Sequence, residues 1–96
     1  MKINQEQLDL IEEYASNFLS FEEISIFLDI DYDIFLKLVK NKKNSVYEAY
    51  FRGKTKTKLE IRRNIVKMAK HGSPQAEQFV EKFIVEQEIS ERDASG

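Results

Sequence analysis

Apolar residues recur along this chain at three- and four-residue intervals, which is the spacing of amphipathic helices. The first apolar stripe comprises Leu8, Ile11, Ala15 and Phe18. Asn4 precedes this stripe as a predicted N-cap, and Gln7 follows at the position where a capping box needs a side-chain acceptor. We therefore predict a first helix from about Gln5 to Phe18.

Two shorter stripes follow, and each is preceded by a residue that commonly caps helices. The second stripe comprises Ile24, Phe27 and Leu28, and the third comprises Ile34, Phe35, Leu38 and Val39. Ser20 and Glu23 have the spacing of a capping box, and Asp31 is the predicted cap of the third helix. We expect the second helix to end near Asp29 and the third to end before a break at residues 41–44.

A longer helical pattern covers residues 46–71, and a last amphipathic helix follows it. Gly53 interrupts the longer pattern at a cost of about 1 kcal/mol relative to alanine, so one long helix and two shorter helices are equal alternatives. Gly72 is a predicted helix stop, and Ser73 followed by Pro74 predicts the start of the last helix. The apolar stripe of that helix comprises Ala76, Phe79, Val80, Phe83 and Ile84.

These patterns predict an all-α fold with one helical domain over residues 1–88 and a frayed tail over residues 89–96. The chain has 96 residues, of which 42% are hydrophobic, and this is enough for one modest core. It has no cysteine and one histidine, His71, so no catalytic nucleophile–base pair and no zinc site are visible. We expect no enzymatic activity, no metal and no cofactor. No stretch has the length and apolar character of a signal peptide or membrane span, so we expect a soluble, cytoplasmic protein that does not bind membranes.

Charge is strongly segregated along the chain, although the formal net charge is only −2. Residues 37–71 carry twelve lysines and arginines against two acids. Residues 1–36 carry one lysine against nine acids, and residues 72–96 carry two basic residues against six acids. Lysine and arginine side chains that neutralise phosphates release condensed counterions, which drives binding to polyanions. The basic middle third therefore indicates nucleic acid as a partner.

Residues 20–41 have the pattern of a helix-turn-helix, although a three-helix cluster of this kind also occurs in pure interaction modules. Ser25 is the small residue that faces the partner helix. Asp29, Ile30 and Asp31 supply the turn residue, the apolar plug and the cap of the recognition helix. The outward side chains are predicted to reach base edges and flanking phosphates. They are Tyr32, Asp33, Lys37, Lys40 and Asn41, followed directly by Lys42 and Lys43.

A second basic group lies in the long helical pattern and comprises Arg52, Lys54, Lys56, Lys58, Arg62 and Arg63. In one interpretation these side chains contact phosphates and add affinity without sequence information. In the other they form a solvated helix face that meets the acidic N-terminal helix, of this chain or of a neighbouring subunit. The nearby aromatic residues Tyr47, Tyr50 and Phe51 are interpreted as core or interface residues in preference to base-stacking groups.

Two stretches of the chain resemble the small terminase subunit of tailed phages and prophages. The helix-turn-helix of that family is similar to FEEISIFLDIDYDIFLKLV, and its following segment is similar to VYEAYFRGKTKTKLEIRRNIVKMAKHGSPQAEQFVEKFI. The resemblance implies a homeodomain-like N-terminal part and a non-catalytic homo-oligomer that binds phage DNA in the bacterial host cytoplasm. It also implies a large, ATP-driven motor subunit as a second partner. The family's recognition helix faces DNA at the positions of Tyr32, Asp33, Lys37 and Lys40.

Three functions are compatible with these features. The leading hypothesis is a DNA-binding adaptor, a small terminase-like subunit that recognises phage DNA for packaging. A small helix-turn-helix transcriptional regulator has the same features, and a palindromic site with a dimeric protein favours it. A protein–protein interaction module would instead present its basic face to an acidic partner protein.

Overall fold

The computed structural model describes residues 2–95, which contain five α-helices and no strand. The helices are α1 (Gln5–Ser16), α2 (Phe21–Leu28), α3 (Tyr32–Lys40), α4 (Ser45–Lys70) and α5 (Pro74–Ser95). The predicted all-α class is confirmed for this part of the chain. The chain divides into two compact units, unit 1 up to Lys58 and unit 2 from Leu59 onward, where the sequence indicated one domain. Helix α5 continues to Ser95 through most of the predicted frayed tail, and residue 96 lies outside the described part.

The first three helices begin at the predicted capping residues. The Asn4 side chain accepts a hydrogen bond from the Gln7 backbone at 2.8 Å, and the Gln7 side chain accepts one from the Asn4 backbone at 3.0 Å. Ser20 and Glu23 make the same pair of bonds before α2, at 3.1 and 2.9 Å. The backbone N–H of Ser20, more than its hydroxyl, lowers the pKa of the Glu23 carboxyl. Asp31 caps α3 with its side chain.

Helices α1, α2 and α4 all end in a Schellman motif, in which two backbone N–H groups bond back to the last helical turn. The residues with left-handed backbone are Phe18 (φ 61°), Asp29 (φ 54°) and Gly72 (φ 92°). Asp29 and Gly72 have the roles predicted for them. The prediction for Phe18 is wrong, because α1 ends at Ser16 and Phe18 is an exposed turn residue outside the apolar stripe. A phenylalanine in this conformation is strained, since its Cβ crowds the following carbonyl.

Unit 1 has a core formed by the apolar faces of α1, α2, α3 and the first part of α4. The largest fully buried side chains are Phe35, Ile11, Ile24, Val39 and Val46. The ring of Phe21 packs between two aromatic neighbours, with its centroid 4.8 Å from that of Tyr50 and 6.3 Å from that of Phe35. Burial raises the pKa of the Tyr50 hydroxyl. The four helical segments of unit 1 therefore share one apolar interior.

Two residues that were predicted to face this core lie at the surface instead. Phe27 is 65% exposed and Ile34 is 41% exposed. Successive helical residues are about 100° apart around the axis, so a residue beside a core position falls at the edge of the buried face. Leu28 and Phe35 take the inward positions, and the Phe27 ring packs beside that of Tyr14 in α1, at a ring-centroid distance of 5.4 Å.

Gly53 lies inside an uninterrupted α4, so the alternative of one long helix is correct. The residue is buried against α1, and a Cβ atom at this position would overlap the backbone carbonyl oxygen of Glu12 and stand 2.9 Å from its carbonyl carbon. A glycine is therefore required by the close approach of two helix backbones and does not mark a bend.

Unit 2 consists of the last part of α4, the Gly72 turn and α5. Among its described residues, Ala76 is the only buried one. The Arg62 guanidinium links the two helices, because it lies 2.8 Å from the Glu86 carboxylate and 4.1 Å from the centroid of the Phe83 ring. Ile65, Val66 and Val80 are partly buried, whereas seven other large apolar side chains remain about half exposed. These seven are Leu59, Ile61, Met68, Phe79, Ile84, Val85 and Ile89.

Within the described residues, no helix has both the length and the apolar character needed to cross a membrane. The longest helix, α4, has basic residues along much of its length, and α5 has acidic ones. These charged positions interrupt every apolar stretch of the two helices.

Candidate nucleic-acid interface

The turn between α2 and α3 has the local geometry that the sequence predicted. Asp29 takes the left-handed conformation, Ile30 is buried beneath the turn, and Asp31 caps α3. Ser25 is buried in α2, and its hydroxyl donates a hydrogen bond to the Glu22 carbonyl at 2.7 Å. Because this hydroxyl is satisfied inside its own helix, the small residue can pack against a neighbouring helix without an unpaired polar group. The turn thereby fixes where α3 begins and which of its faces is buried.

Helix α3 has a buried face and an outward face. Phe35 and Val39 are buried in the core of unit 1. Asp33, Lys37 and Lys40 follow one another at four- and three-residue intervals, and all three are exposed. At 3.6 residues per turn, Lys37 lies on the side of the helix opposite to the buried pair. The core therefore holds α3 with its charged face toward solvent.

The two ends of α3 present the other residues that were predicted to contact DNA. Tyr32 lies exposed in the first turn. Asn41 follows the last turn, and its side-chain oxygen accepts a hydrogen bond from the backbone N–H of Lys43 at 3.0 Å. This bond orders the exposed segment that holds Lys42 and Lys43. We call the four lysines at this end the α3 lysine cluster: Lys37, Lys40, Lys42 and Lys43.

No side chain of the α3 lysine cluster forms an ion pair within residues 2–95. Asp33 is the one carboxylate on the outward face of α3, so the cluster and this residue together carry a formal charge of +3. The C-terminal pole of the helix dipole stabilises positive charge at this end of α3. The cluster is therefore a concentrated positive charge that Asp33 offsets only in part.

The basic side chains of α4 in unit 1 divide into two pairs. Arg52 and Lys56 face α1, where their nitrogens stand 3.7 and 2.9 Å from the carboxylate of Glu12. Lys54 and Lys58 share another helix face and form no ion pair among the described residues. The acidic N-terminal helix thus engages two of the four predicted phosphate contacts within the same chain. Glu12 was missed at the sequence level, because its contact with Lys56 joins residues 44 positions apart.

The two predicted arginines of unit 2 differ in the same way. Arg62 is paired with Glu86 and stacked on Phe83. Arg63 is exposed and lines an open groove of about 420 Å³ along α4, which also includes Lys67 and Lys70. Of this pair, only Arg63 has its charge available to an external anion.

The aromatic residues at the start of α4 are divided between the core and the surface. Tyr50 is buried, which confirms its assignment to the core. Tyr47 and Phe51 pack on each other, with ring centroids 4.5 Å apart, and Phe51 remains partly exposed. The ammonium group of Lys54 lies 6.0 Å from the Phe51 ring centroid, so an exposed aromatic ring and an exposed lysine are neighbours on this face.

Comparison of the chain with protein-family models, with curated proteins and with solved structures finds no match. The arrangement of its own residues is therefore the basis for assigning a function. The feature that stands out in that arrangement is the α3 lysine cluster, whose side chains are exposed at the end of a helix held by the core and form no ion pair in the described part of the chain.

Proposed function

We propose that the protein binds double-stranded DNA through unit 1, with α3 as the recognition helix of a homeodomain-like helix-turn-helix. The observation that carries this proposal is the α3 lysine cluster, whose side chains are exposed and make no ion pair among residues 2–95. The left-handed Asp29, the buried Ile30 and the buried Ser25 support the helix-turn-helix arrangement. These features hold α3 with its basic face outward, as a helix that enters the major groove requires.

The residues of α3 have distinct roles in this proposal. The major groove of B-DNA admits an α-helix, and Lys37 on the outward face is placed to donate to guanine O6 or N7. Asp33, one turn earlier, has the chemistry to accept from cytosine N4. The remaining lysines of the cluster contact phosphates and set the register of the helix on the duplex. Lys54 and Lys58 add phosphate contacts, whereas Arg52 and Lys56 would first have to leave Glu12.

The biological setting that we propose first is phage DNA packaging, and it rests on the resemblance to the small terminase subunit. In this setting the protein is a non-catalytic adaptor that recognises phage DNA and delivers it to a large motor subunit. A small transcriptional regulator is the second candidate, and the complementary charges of α4 and α5 in unit 2 favour it, because they suit a dimer. A palindromic DNA site would support the regulator, and a higher oligomer would support the packaging adaptor.

Duplex binding by charge-removal variants tests the role of the cluster. We expect Lys42→Gln with Lys43→Gln to weaken binding to a fluorescent random-sequence duplex and to reduce the slope of log K against log salt by about 1.8, or 0.9 per lost phosphate contact. The matched control is Arg52→Gln with Lys56→Gln, which removes the same formal charge from residues already paired with Glu12.

The two variants give different results only if the α3 lysine cluster itself contacts the duplex. A smaller slope change in the control supports the proposal. Equal changes in both variants would show a response to net charge alone and would overturn the assignment of the contact to α3. If the wild-type protein ignores DNA at low salt and instead binds an acidic protein, the interaction-module hypothesis replaces this one.

A further inference from the structure

Unit 2 has two exposed stripes of residues, one on each of its helices, that are opposite in charge and similar in length. The first lies on α4, where its residues line the open groove described above. We call these residues the basic groove: Leu59, Arg63, Val66, Lys67 and Lys70. The second lies on α5 and is called the acidic stripe: Glu77, Glu81, Ile84, Glu88 and Glu91. Neighbouring members of the acidic stripe are three or four residues apart, so they occupy one face of α5. The members of the basic groove share one face of α4 in the same way.

Neither stripe has a partner within the described residues. The one ion pair of unit 2 in this part of the chain joins Arg62, which also lines the open groove, to Glu86, and the charged side chains of the two stripes form none. Two of the apolar members are about half exposed, Leu59 at 53% and Ile84 at 47%, and Val66 is partly buried. Because removing apolar surface from water is favourable, covering these side chains stabilises an assembly.

We propose that the basic groove of one copy of this chain binds the acidic stripe of a second copy. The apolar residues of the two stripes bury one another, and the glutamates lie beside the lysines and the arginine. The occupant is a second copy and not a nucleic acid, because the acidic stripe belongs to the same unit as the groove and repels a polyanion. A groove that is apolar at Leu59 and Val66 also suits an amphipathic helix better than a phosphate backbone.

In the proposed assembly, two copies make this contact twice. The groove of the first copy takes the stripe of the second, and the groove of the second takes the stripe of the first. Such an isologous arrangement has two-fold symmetry and produces a dimer, whereas a contact made once between successive copies extends to a ring or a filament. A dimer is the assembly that favours the regulator over the packaging adaptor. This inference goes beyond the proposed function and does not rest on it, because the assembly forms without DNA. Arg63 is the one groove residue that the sequence also predicted as a phosphate contact, and the unit 1 residues assigned to DNA take no part.

Charge reversal in the full-length protein, without DNA, tests the pairing by sedimentation velocity. The groove variant is Lys67→Glu with Lys70→Glu, and the stripe variant is Glu81→Lys with Glu88→Lys. Each variant alone places like charges opposite each other, so we expect its dimer dissociation constant to rise by roughly a hundredfold or more. An equimolar mixture of the two variants restores both contacts, so we expect heterodimers with close to wild-type affinity.

The control variant is Lys54→Glu with Lys58→Glu, which reverses two charges of α4 in unit 1 and should leave the dimer intact. Circular dichroism of each variant verifies that its helices are retained. The proposal is overturned if the wild-type protein is monomeric, or if the mixture of groove and stripe variants remains monomeric. A wild-type assembly larger than a dimer would overturn the two-fold closure. A wild-type protein that dimerises but does not bind duplex DNA would leave this inference standing and would count against the proposed function alone.

Discussion

The two parts of α4 follow the same helical pattern but differ in what covers them. In unit 1 the helix packs against a core that it shares with three other helices. Its buried residues there are Val46, Ala49, Tyr50 and Gly53. In unit 2 the helix has no buried residue among those described, and three of its large apolar side chains remain about half exposed: Leu59, Ile61 and Met68. The difference teaches that apolar periodicity predicts a helix, while burial depends on how many other helices are present to cover it.

Charge divides the molecule along the same boundary. In unit 1, Glu12 neutralises Arg52 and Lys56, whereas the α3 lysine cluster has no ion pair among the described residues. In unit 2, the basic groove and the acidic stripe have complementary charges, and their charged side chains form no ion pair within residues 2–95. Unit 1 therefore combines a completed core with an exposed basic surface. Unit 2 has exposed stripes of opposite charge, on which our proposed pairing of two copies rests.

The largest expected effect is the loss of stability when a phenylalanine of unit 1 is replaced by alanine, compared with the same replacement in unit 2. Phe35→Ala removes a fully buried side chain of unit 1, so we expect a loss of about 3–5 kcal/mol in the free energy of unfolding. Phe79→Ala makes the same change in unit 2, where the side chain is 50% exposed, and we expect a loss near 0.5 kcal/mol. Urea unfolding followed by circular dichroism measures both. Similar losses would contradict the claim that only unit 1 has a core.

The second effect compares two glycines that have different reasons to be present. Gly53→Ala places a methyl group against the backbone of Glu12, so we expect a destabilisation of about 2–3 kcal/mol. Helix propensity alone predicts the opposite sign, a gain of about 1 kcal/mol. Gly72→Ala meets no atom within 4 Å and costs about 1 kcal/mol through its left-handed backbone. Thermal unfolding gives the sign directly, and a more stable Gly53→Ala protein would refute the close α1–α4 contact.

The smallest effect concerns a type of helix-terminating turn that occurs once with Phe18 in unit 1 and once with Gly72 in unit 2. Phe18 in unit 1 takes the left-handed position that Gly72 takes in unit 2. We expect Phe18→Gly to stabilise the protein by about 0.5–1 kcal/mol, because relief of backbone strain exceeds the added entropy of the unfolded glycine. Asp29→Gly is the matched control, and its gain should be smaller because aspartate tolerates this conformation. A destabilised Phe18→Gly protein, measured by the same urea unfolding, would show that the exposed ring makes a contact worth more than the strain.

The helix boundaries were largely predictable, because each depends on residues a few positions apart. Asn4, Ser20 and Asp31 were identified as caps from local spacing alone, and all three accept the expected hydrogen bonds. The end of α1 was placed two residues too late, since Phe18 continues the apolar spacing although the backbone has already turned. Periodicity records which side chains are apolar and contains no information about a strained backbone angle.

The requirement for a glycine at position 53 was not predictable from the sequence, because the residue that it contacts lies in another part of the chain. The helix propensity of glycine suggested a possible bend, whereas the structure shows a contact with Glu12. The same distance along the chain hid the pairing of Arg52 and Lys56 with that residue. The exposed positions of Lys37 and Lys40 were predictable, since they follow from the spacing of Phe35 and Val39 within one helix.

The measurement that tests the central claim most directly is the binding of the wild-type protein to a fluorescent duplex across a salt series. We expect the logarithm of the association constant to fall linearly with the logarithm of salt concentration. A slope of about −4.5 would match five phosphate contacts at 0.9 each, the number assigned above to Lys40, Lys42, Lys43, Lys54 and Lys58. Absence of binding at low salt would contradict the assignment of unit 1 to DNA.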